Sequence, residues 1–243
     1  MFSATGFAPS LFSDIVRAAK TAGYAFARFD RAPASGRRFF LRHDVDISPR
    51  AALLLGQLAQ DQGAAANFFF QLNADTYNIF SDDVLGIMRD LRARGHCVGL
   101  HIDQVRFGAD EAAIRRTVDW FSSCVMEIDD AVSFHRPSAT VLGKSYAAFF
   151  NAYDPRFFSP ESYLSDSRRS LAFLPKLADW LKSGQPSIQL LLHPEWWSGI
   201  DDELAVWTEL KARREQELAQ YVTTNFAKVF HHVLPAERRN FRI

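Results

Sequence analysis

The 243-residue sequence predicts an α/β fold built on one parallel sheet, either open or closed into a barrel. Three observations carry that prediction. Apolar β-type runs begin near positions 39, 66, 97, 131, 163 and 187, at steps of 24 to 34 residues, the length of a strand–helix unit. Amphipathic stretches with helix start and stop signals lie between them. Hydrophobic residues make up 48% and aromatic ones 14% of the chain, enough for a core without disulfide staples and too much for a disordered polymer.

The elements follow in order. Residues 39–45 (FFLRHDV) form the first strand, and Pro49 opens the helical stretch RAALLLGQLAQDQG, which Gly63 ends. A second strand covers 66–72. The helix DDVLGIMRDLRARG starts acidic, finishes basic and closes at Gly95, in keeping with the helix dipole. Residues 97–102 (CVGLHI) read as a strand, 110–126 as a helix, 131–134 as a strand and 145–152 as a weak helix. A strand is expected to start at 163, a helix to cover 171–183 up to Gly184, a strand to cover 187–192, and one or two long helices to cover 201–230. No linker or low-complexity segment interrupts the chain, so one domain over 1–243 is expected, with C-terminal helices at 201–232.

Composition narrows the function. Twenty-eight basic residues balance 28 acidic ones, which weighs against a dedicated nucleic-acid binder. Neither GxGxxG nor GxxxxGK[ST] follows the first strand, so a nucleotide-cradling loop is not expected. Cys97 and Cys124 lack metal-ligand spacing and read as free thiols of a reducing compartment. The N-terminus has no basic residue before Arg17 and no sustained apolar run. The expectation is a cytoplasmic protein without a secretory signal or a spanning helix.

Four of the seven histidines, at 43, 101, 135 and 193, fall at or just past strand ends, where parallel α/β folds gather their chemistry. In LRHDVD (41–46), strand alternation puts Asp44 and Asp46 on one face and His43 on the other. Two aligned carboxylates repel unless a cation or base lies beside them. A divalent metal resolves that conflict and leaves one carboxylate free as a base; His43 is expected to pack. In GHCVGLHID (95–103), Gly99, His101 and Asp103 share a face, His101 suits a metal ligand, and His96 reads as a turn or capping residue. SFHRPS (133–138) offers His135 and Arg136, and LLLHPEWW (190–197) offers His193 with Trp196 and Trp197, either lining a sugar site or packing in the core.

Taken in order, these segments resemble the motifs of the polysaccharide deacetylase (NodB-homology) superfamily over about residues 39–197. LRHDVD is similar to its first motif, GHCVGLHID to its second, FHRPS to its Arg-x-Pro-Tyr segment and LLLHP to its last. The resemblance implies an irregular (β/α) barrel of about seven parallel strands, here with an extra C-terminal helical segment. It also implies a metal-dependent hydrolase that removes an N-acyl group from an amino sugar. Asp44 would then be the catalytic base and His193 the catalytic histidine, with Asp46 and His101 holding a divalent ion. This sequence departs from the pattern: Val105 stands where the second motif has its second histidine, Val45 separates the two acids, and His135 and Ser138 replace the Arg and Tyr. His135 is the preferred third ligand, with Asp103 next.

Zinc suits one carboxylate and two imidazoles, while nickel, cobalt and iron share that ligand preference. Asp103, Arg136, Asp166, Trp196 and Trp197 are expected to orient groups or contact substrate, Asp166 by holding His193. An intracellular setting points to an N-acylated amino sugar carried on a nucleotide or lipid, in surface-polysaccharide assembly of the O-antigen or capsule type. The alternatives are a cyclic-amide or uronamide amidohydrolase, or a catalytically silent sugar-binding protein of the same fold. The C-terminal helix is read as a packing or homo-oligomer element.

Overall fold

Strand–helix alternation is what the computed structural model shows; it describes residues 2, 6–33, 35–200 and 202–230. The chain divides into two units, Met1–Gly199 and Ile200–Ile243. In chain order the first contains α1 (Pro9–Thr21), β1 (Ala25–Phe26), β2 (Arg38–Val45), α2 (Pro49–Asp61), β3 (Asn67–Gln71), α3 (Asp82–Ala93) and β4 (Cys97–Asp103). There follow α4 (Gln104–Phe107), α5 (Glu111–Cys124), β5 (Ala131–His135), β6 (Phe150–Asn151), β7 (Tyr163–Ser165), α6 (Leu174–Ser183) and β8 (Ser187–Leu192). The second unit holds α7 (Glu203–Asn225) and α8 (Ala227–Phe230). His231, His232 and the last residues of the expected C-terminal helices lie outside the described residues.

Every strand pairing is parallel. The sheet runs β6-β5-β4-β3-β2-β8-β7, with β1 added on β2. Among the described residues β6 and β7 do not pair, so the seven-strand path is a half-barrel with flanking helices, the fold class the sequence predicts.

Local chemistry explains the helices. Ser48 accepts the Ala51 amide at 3.3 Å and Pro49 sets the first turn of α2. Ser81 caps α3 ahead of Asp82 and Asp83, and Asp110 caps α5. A Cβ at Gly56 would lie 2.2 Å from Leu91 Cδ2, so glycine is what lets α2 press against α3. In the second unit, Asp202 caps α7, and Glu209–Arg213 and Lys211–Glu215 pair along it. No described helix is long and apolar enough to cross a membrane.

Alternation along the strands separates two faces. The outer face sends Phe39, Leu41, Val45, Phe68, Phe70, Val98, Leu100 and Ile102 into the large core beneath α1, α2, α3 and α5. The inner face has an apolar floor of Phe40, Phe69, Cys97 and Ala131, closed by Phe29 and Phe157. Gly99 belongs to that inner face, and a Cβ there would meet the Ala131 carbonyl at 2.0 Å. Above the floor the inner face turns polar.

Several expectations need correction. Residues 145–152 do not form a helix; the segment ends in β6, where Asn151 pairs with Val132. Its helix-like aromatic spacing reflects Tyr146 stacked on Phe149, ring centroids 4.5 Å apart. The helix expected from 171 begins at Leu174. His96 is a buried tie rather than a capping residue: Nδ1 accepts the Ala66 amide at 3.1 Å, so Nε2 carries the proton and donates to Gly56 O at 2.9 Å. The sequence reading also passes over α1, whose Leu11, Phe12, Ile15, Val16 and Ala19 are all buried. Cys97 is buried, Cys124 exposed, and both are free thiols.

Candidate functional site

The polar ladder begins with Arg42, which is fully buried and lies under Asp44 on the inner face of β2. Its Nε and Nη2 donate to the two oxygens of Asp44 at 2.9 and 2.7 Å, a bidentate pair. Nη1 donates to Gln189 Oε1 at 3.1 Å, and the second Nη2–H is shared between Ser133 Oγ and Tyr153 OH at 2.7 and 2.8 Å. Burial works against the Asp44 charge, but Arg42 outweighs it and keeps the carboxyl below its usual range. The charge conflict read from the aligned acids is thus resolved in part by a base two residues upstream.

Ser133 fixes the next group. Its hydroxyl proton goes to Asp44 Oδ1 at 3.0 Å, so its lone pairs receive Arg42 Nη2–H and His101 Nδ1–H, the latter at 2.9 Å. His101 therefore carries its proton on Nδ1 and turns an Nε2 lone pair toward Asp46. Nε2 lies 3.3 Å from Asp46 Oδ1, and His135 Nδ1 lies 3.4 Å from that same oxygen. Asp46 Oδ1 is itself buried and has no hydrogen-bond donor.

An orphaned carboxylate oxygen facing two imidazole nitrogens is a demand for positive charge. A tetrahedral shell with bonds of about 2.0–2.1 Å separates neighbouring ligand atoms by roughly 3.4 Å, which matches the two distances here. The ligand atoms of Asp46, His101 and His135 all lie within 4.8 Å of one another. These residues fit a divalent metal. Positive charge is what this oxygen calls for: burial opposes the Asp46 charge, and only with His101 and His135 protonated toward it is the carboxyl held well below the carboxylate range. Asp46 in turn raises His135 above its ordinary value, against the effect of burial.

His193 faces the cluster from the end of β8, with Nε2 4.0 Å from Asp46 Oδ2. Its Nδ1 donates to Asp166 Oδ1 at 2.6 Å, and its backbone amide donates to the same carboxylate. Trp197 Nε1 donates to Asp166 Oδ2 at 2.9 Å. Burial pulls His193 down, but Asp166 more than reverses it and lifts the pKa to about 9. At neutral pH His193 is an imidazolium with Nε2–H as donor. Glu195, two residues on, is buried with Oε2 unpartnered; burial pushes its carboxyl up to about 8, so it stays neutral there.

The remaining expected residues fall as follows. Asp103 is not positioned as the third ligand: its carboxylate accepts Arg136 Nη2–H and the Val105 amide of α4. Trp197 does not line a sugar site; its ring is buried against Phe7 and Phe12, centroids 5.4 and 6.1 Å away. Trp196 is partly buried against the core. Neither lines the cleft of about 240 Å³ that opens beside Asp46 and His135. Arg42, Ser133, Tyr153, Gln189 and Glu195 are the site residues the sequence reading misses. The signal for Arg42 was present, two positions before Asp44 on the same face; Tyr153 and Gln189 sit in no recognisable motif.

No protein-family profile and no curated protein sequence matches the chain. Among solved structures, the chain is similar to a peptidoglycan deacetylase of Bdellovibrio bacteriovorus at 15% identity and a TM-score of 0.43. That similarity covers 78% of this chain and 56% of the other, so the chain spans little more than half of that protein's length.

Proposed function

We propose that this chain is a divalent-metal-dependent hydrolase that removes an N-acyl group, acetyl in the simplest case, from an amino sugar. One observation carries the reading. The buried Asp46 oxygen between His101 and His135 is flanked by a carboxylate, Asp44, and by an imidazolium, His193. Cation site, base and acid are the parts amide hydrolysis needs. The sugar component rests on the four motifs that resemble the polysaccharide deacetylase superfamily. Surface-polysaccharide assembly, with a nucleotide- or lipid-linked substrate, is the setting that goes with it.

Asp46, His101 and His135 would hold the ion, zinc first among the candidates, and when bound it supplies Lewis acidity toward the acyl oxygen. The chain's own groups move the protons. Asp44 Oδ1 already receives Arg42 and Ser133, while Oδ2 receives Arg42 alone. The remaining Oδ2 lone pair, on the oxygen 3.7 Å from His101 Nε2, accepts a proton from the attacking water. His193 Nε2–H gives its proton to the departing amine as the C–N bond breaks. Asp166, fixed by Trp197, holds Nδ1–H and so turns Nε2–H toward the site. Tyr77, bonded to Val45 O and to the Gln71 amide at 2.7 and 2.6 Å, ties the ends of β2 and β3 beneath these groups.

The test joins metal content to acetate release from N-acetylated amino sugars. Metal-dependent release, lost in Asp44→Asn and His193→Ala, is expected. Sugar binding without release by the metal-loaded protein would sink the hydrolase.

A further inference from the structure

We infer that the substrate carries an anionic group, a carboxylate or a phosphate, which Arg106 and Arg136 bind beside the metal cluster. This inference rests on the hydrolase reading and adds the class of sugar.

Sites for neutral sugars commonly offer aromatic rings for stacking, and no aromatic residue is among the described residues that line this cleft. It presents two guanidinium groups instead, on side chains 50% and 54% exposed. The Asp103 carboxylate, only 2% exposed, anchors both: it accepts Arg136 Nη2–H and lies 3.7 Å from Arg106 Nε. Arg106 is steadied further by the Asn73 carbonyl at 3.4 Å and by Asp75 at 3.1 Å. A buried anchor beneath two exposed planar forks is a pre-organised oxyanion receptor. Among the described residues Arg136 donates only to Asp103, which leaves most of its five N–H groups for a ligand.

The backbone agrees. Arg136 has φ of 52°, in the left-handed region that residues with a Cβ seldom adopt. It stands between the cluster residue His135 and Pro137, and such conformations persist where a site demands them. Of the acids in the cleft, Asp46 belongs to the proposed metal cluster, while Asp103 and the 84% exposed Asp75 take up part of the guanidinium charge and leave the unpaired N–H groups of Arg136 facing the cleft.

Binding of N-acetylglucosamine, its 1-phosphate and N-acetylglucosaminuronic acid to zinc-loaded protein, measured by titration calorimetry, tests the inference. Either charged sugar is expected to bind about tenfold more tightly than the neutral one. The preferred one identifies phosphate or carboxylate, and the preference should shrink with added salt. It should be lost in Arg106→Gln/Arg136→Gln, with each single variant and a thermal melt showing that the fold persists. Equal binding of all three sugars, binding of none, or a preference that survives the double substitution would overturn it. Acetate release measured in parallel separates the two readings. A charge preference without release from any sugar defeats the hydrolase alone, whereas release from the neutral sugar with no charge preference defeats the anion site alone.

Discussion

The two faces of β2 make an instructive pair. Leu41, His43 and Val45 look outward, Arg42, Asp44 and then Asp46 look inward, and nearly all are closed to solvent. On the outer side His43 has neither nitrogen matched, and its ring stacks on Phe68 with centroids 4.5 Å apart. Burial drives its pKa down to about 3, so it is a neutral, packed ring. On the inner side His101 is as deeply buried, yet Ser133 sets its tautomer and Asp46 waits opposite its lone pair. A buried histidine therefore signals little by itself. What separates function from packing is a run of matched charges that ends in one unmatched oxygen.

Substitutions can break or sharpen that contrast. The largest effect is expected at Asp44→Asn: acetate release should fall by about 10²–10⁴-fold, as for loss of a general base, while metal content stays unchanged. Unaltered release would remove Asp44 from the chemistry. Next comes Arg42→Met, which strands the buried Asp44 carboxylate and should cost about 3–5 kcal/mol in denaturant unfolding. Pairing it with Asp44→Leu should restore most of that loss; if it does not, the inner ladder is not held by this ion pair.

A smaller change is expected at Asp166→Asn, roughly ten- to a hundredfold in rate, the usual size for an orienting partner. Its signature is the pH profile. His193 is protonated below about 9, so as the general acid it should support turnover until the pH climbs through that value. Without the carboxylate the alkaline limb should move down toward about 6.5. A limb that stays in place would mean Asp166 is merely structural. The same pair stabilises the fold fully below about 6.5, and that contribution fades as the pH rises through about 9.

The smallest effect belongs to the outer face. His43→Phe removes two unmatched buried nitrogens and, once the neighbouring rings take up its slightly larger volume, should gain up to about 1 kcal/mol at neutral pH. It should also flatten acid unfolding. Below about 6.5 an unfolded chain takes up a proton that folded His43 refuses until about 3, so stability drains as the pH falls. His96, held to about 4, acts in the same direction and remains in the variant. Loss of activity in a stable His43→Phe protein would overturn the division between the faces.

Period-2 alternation made much of this legible in the sequence. It placed Asp44, Asp46 and His101 on faces that the half-barrel brings together, even though β3 lies between β2 and β4, while His135 was marked by its place at a strand end. Strand starts were readable because the runs at 39, 66, 97 and 187 are rich in apolar residues. The two-residue strands β1 and β6 were not, since pairing with a neighbour defines them rather than their own pattern. Arg42 escaped notice because a basic residue in a strand reads as solvent-facing until burial is known. The role of Trp197 depended on Phe7 and Phe12, just before and within α1, which lies outside the motif region.

The central claim is that Asp46, His101 and His135 hold a divalent ion on which activity depends, and elemental analysis of purified protein addresses it most directly. About one ion per chain is predicted in the native protein, retained in Asp44→Asn and His193→Ala but lost from folded His101→Ala and His135→Ala. A native protein that binds no divalent metal, or a His101→Ala/His135→Ala variant that keeps it, would contradict the claim.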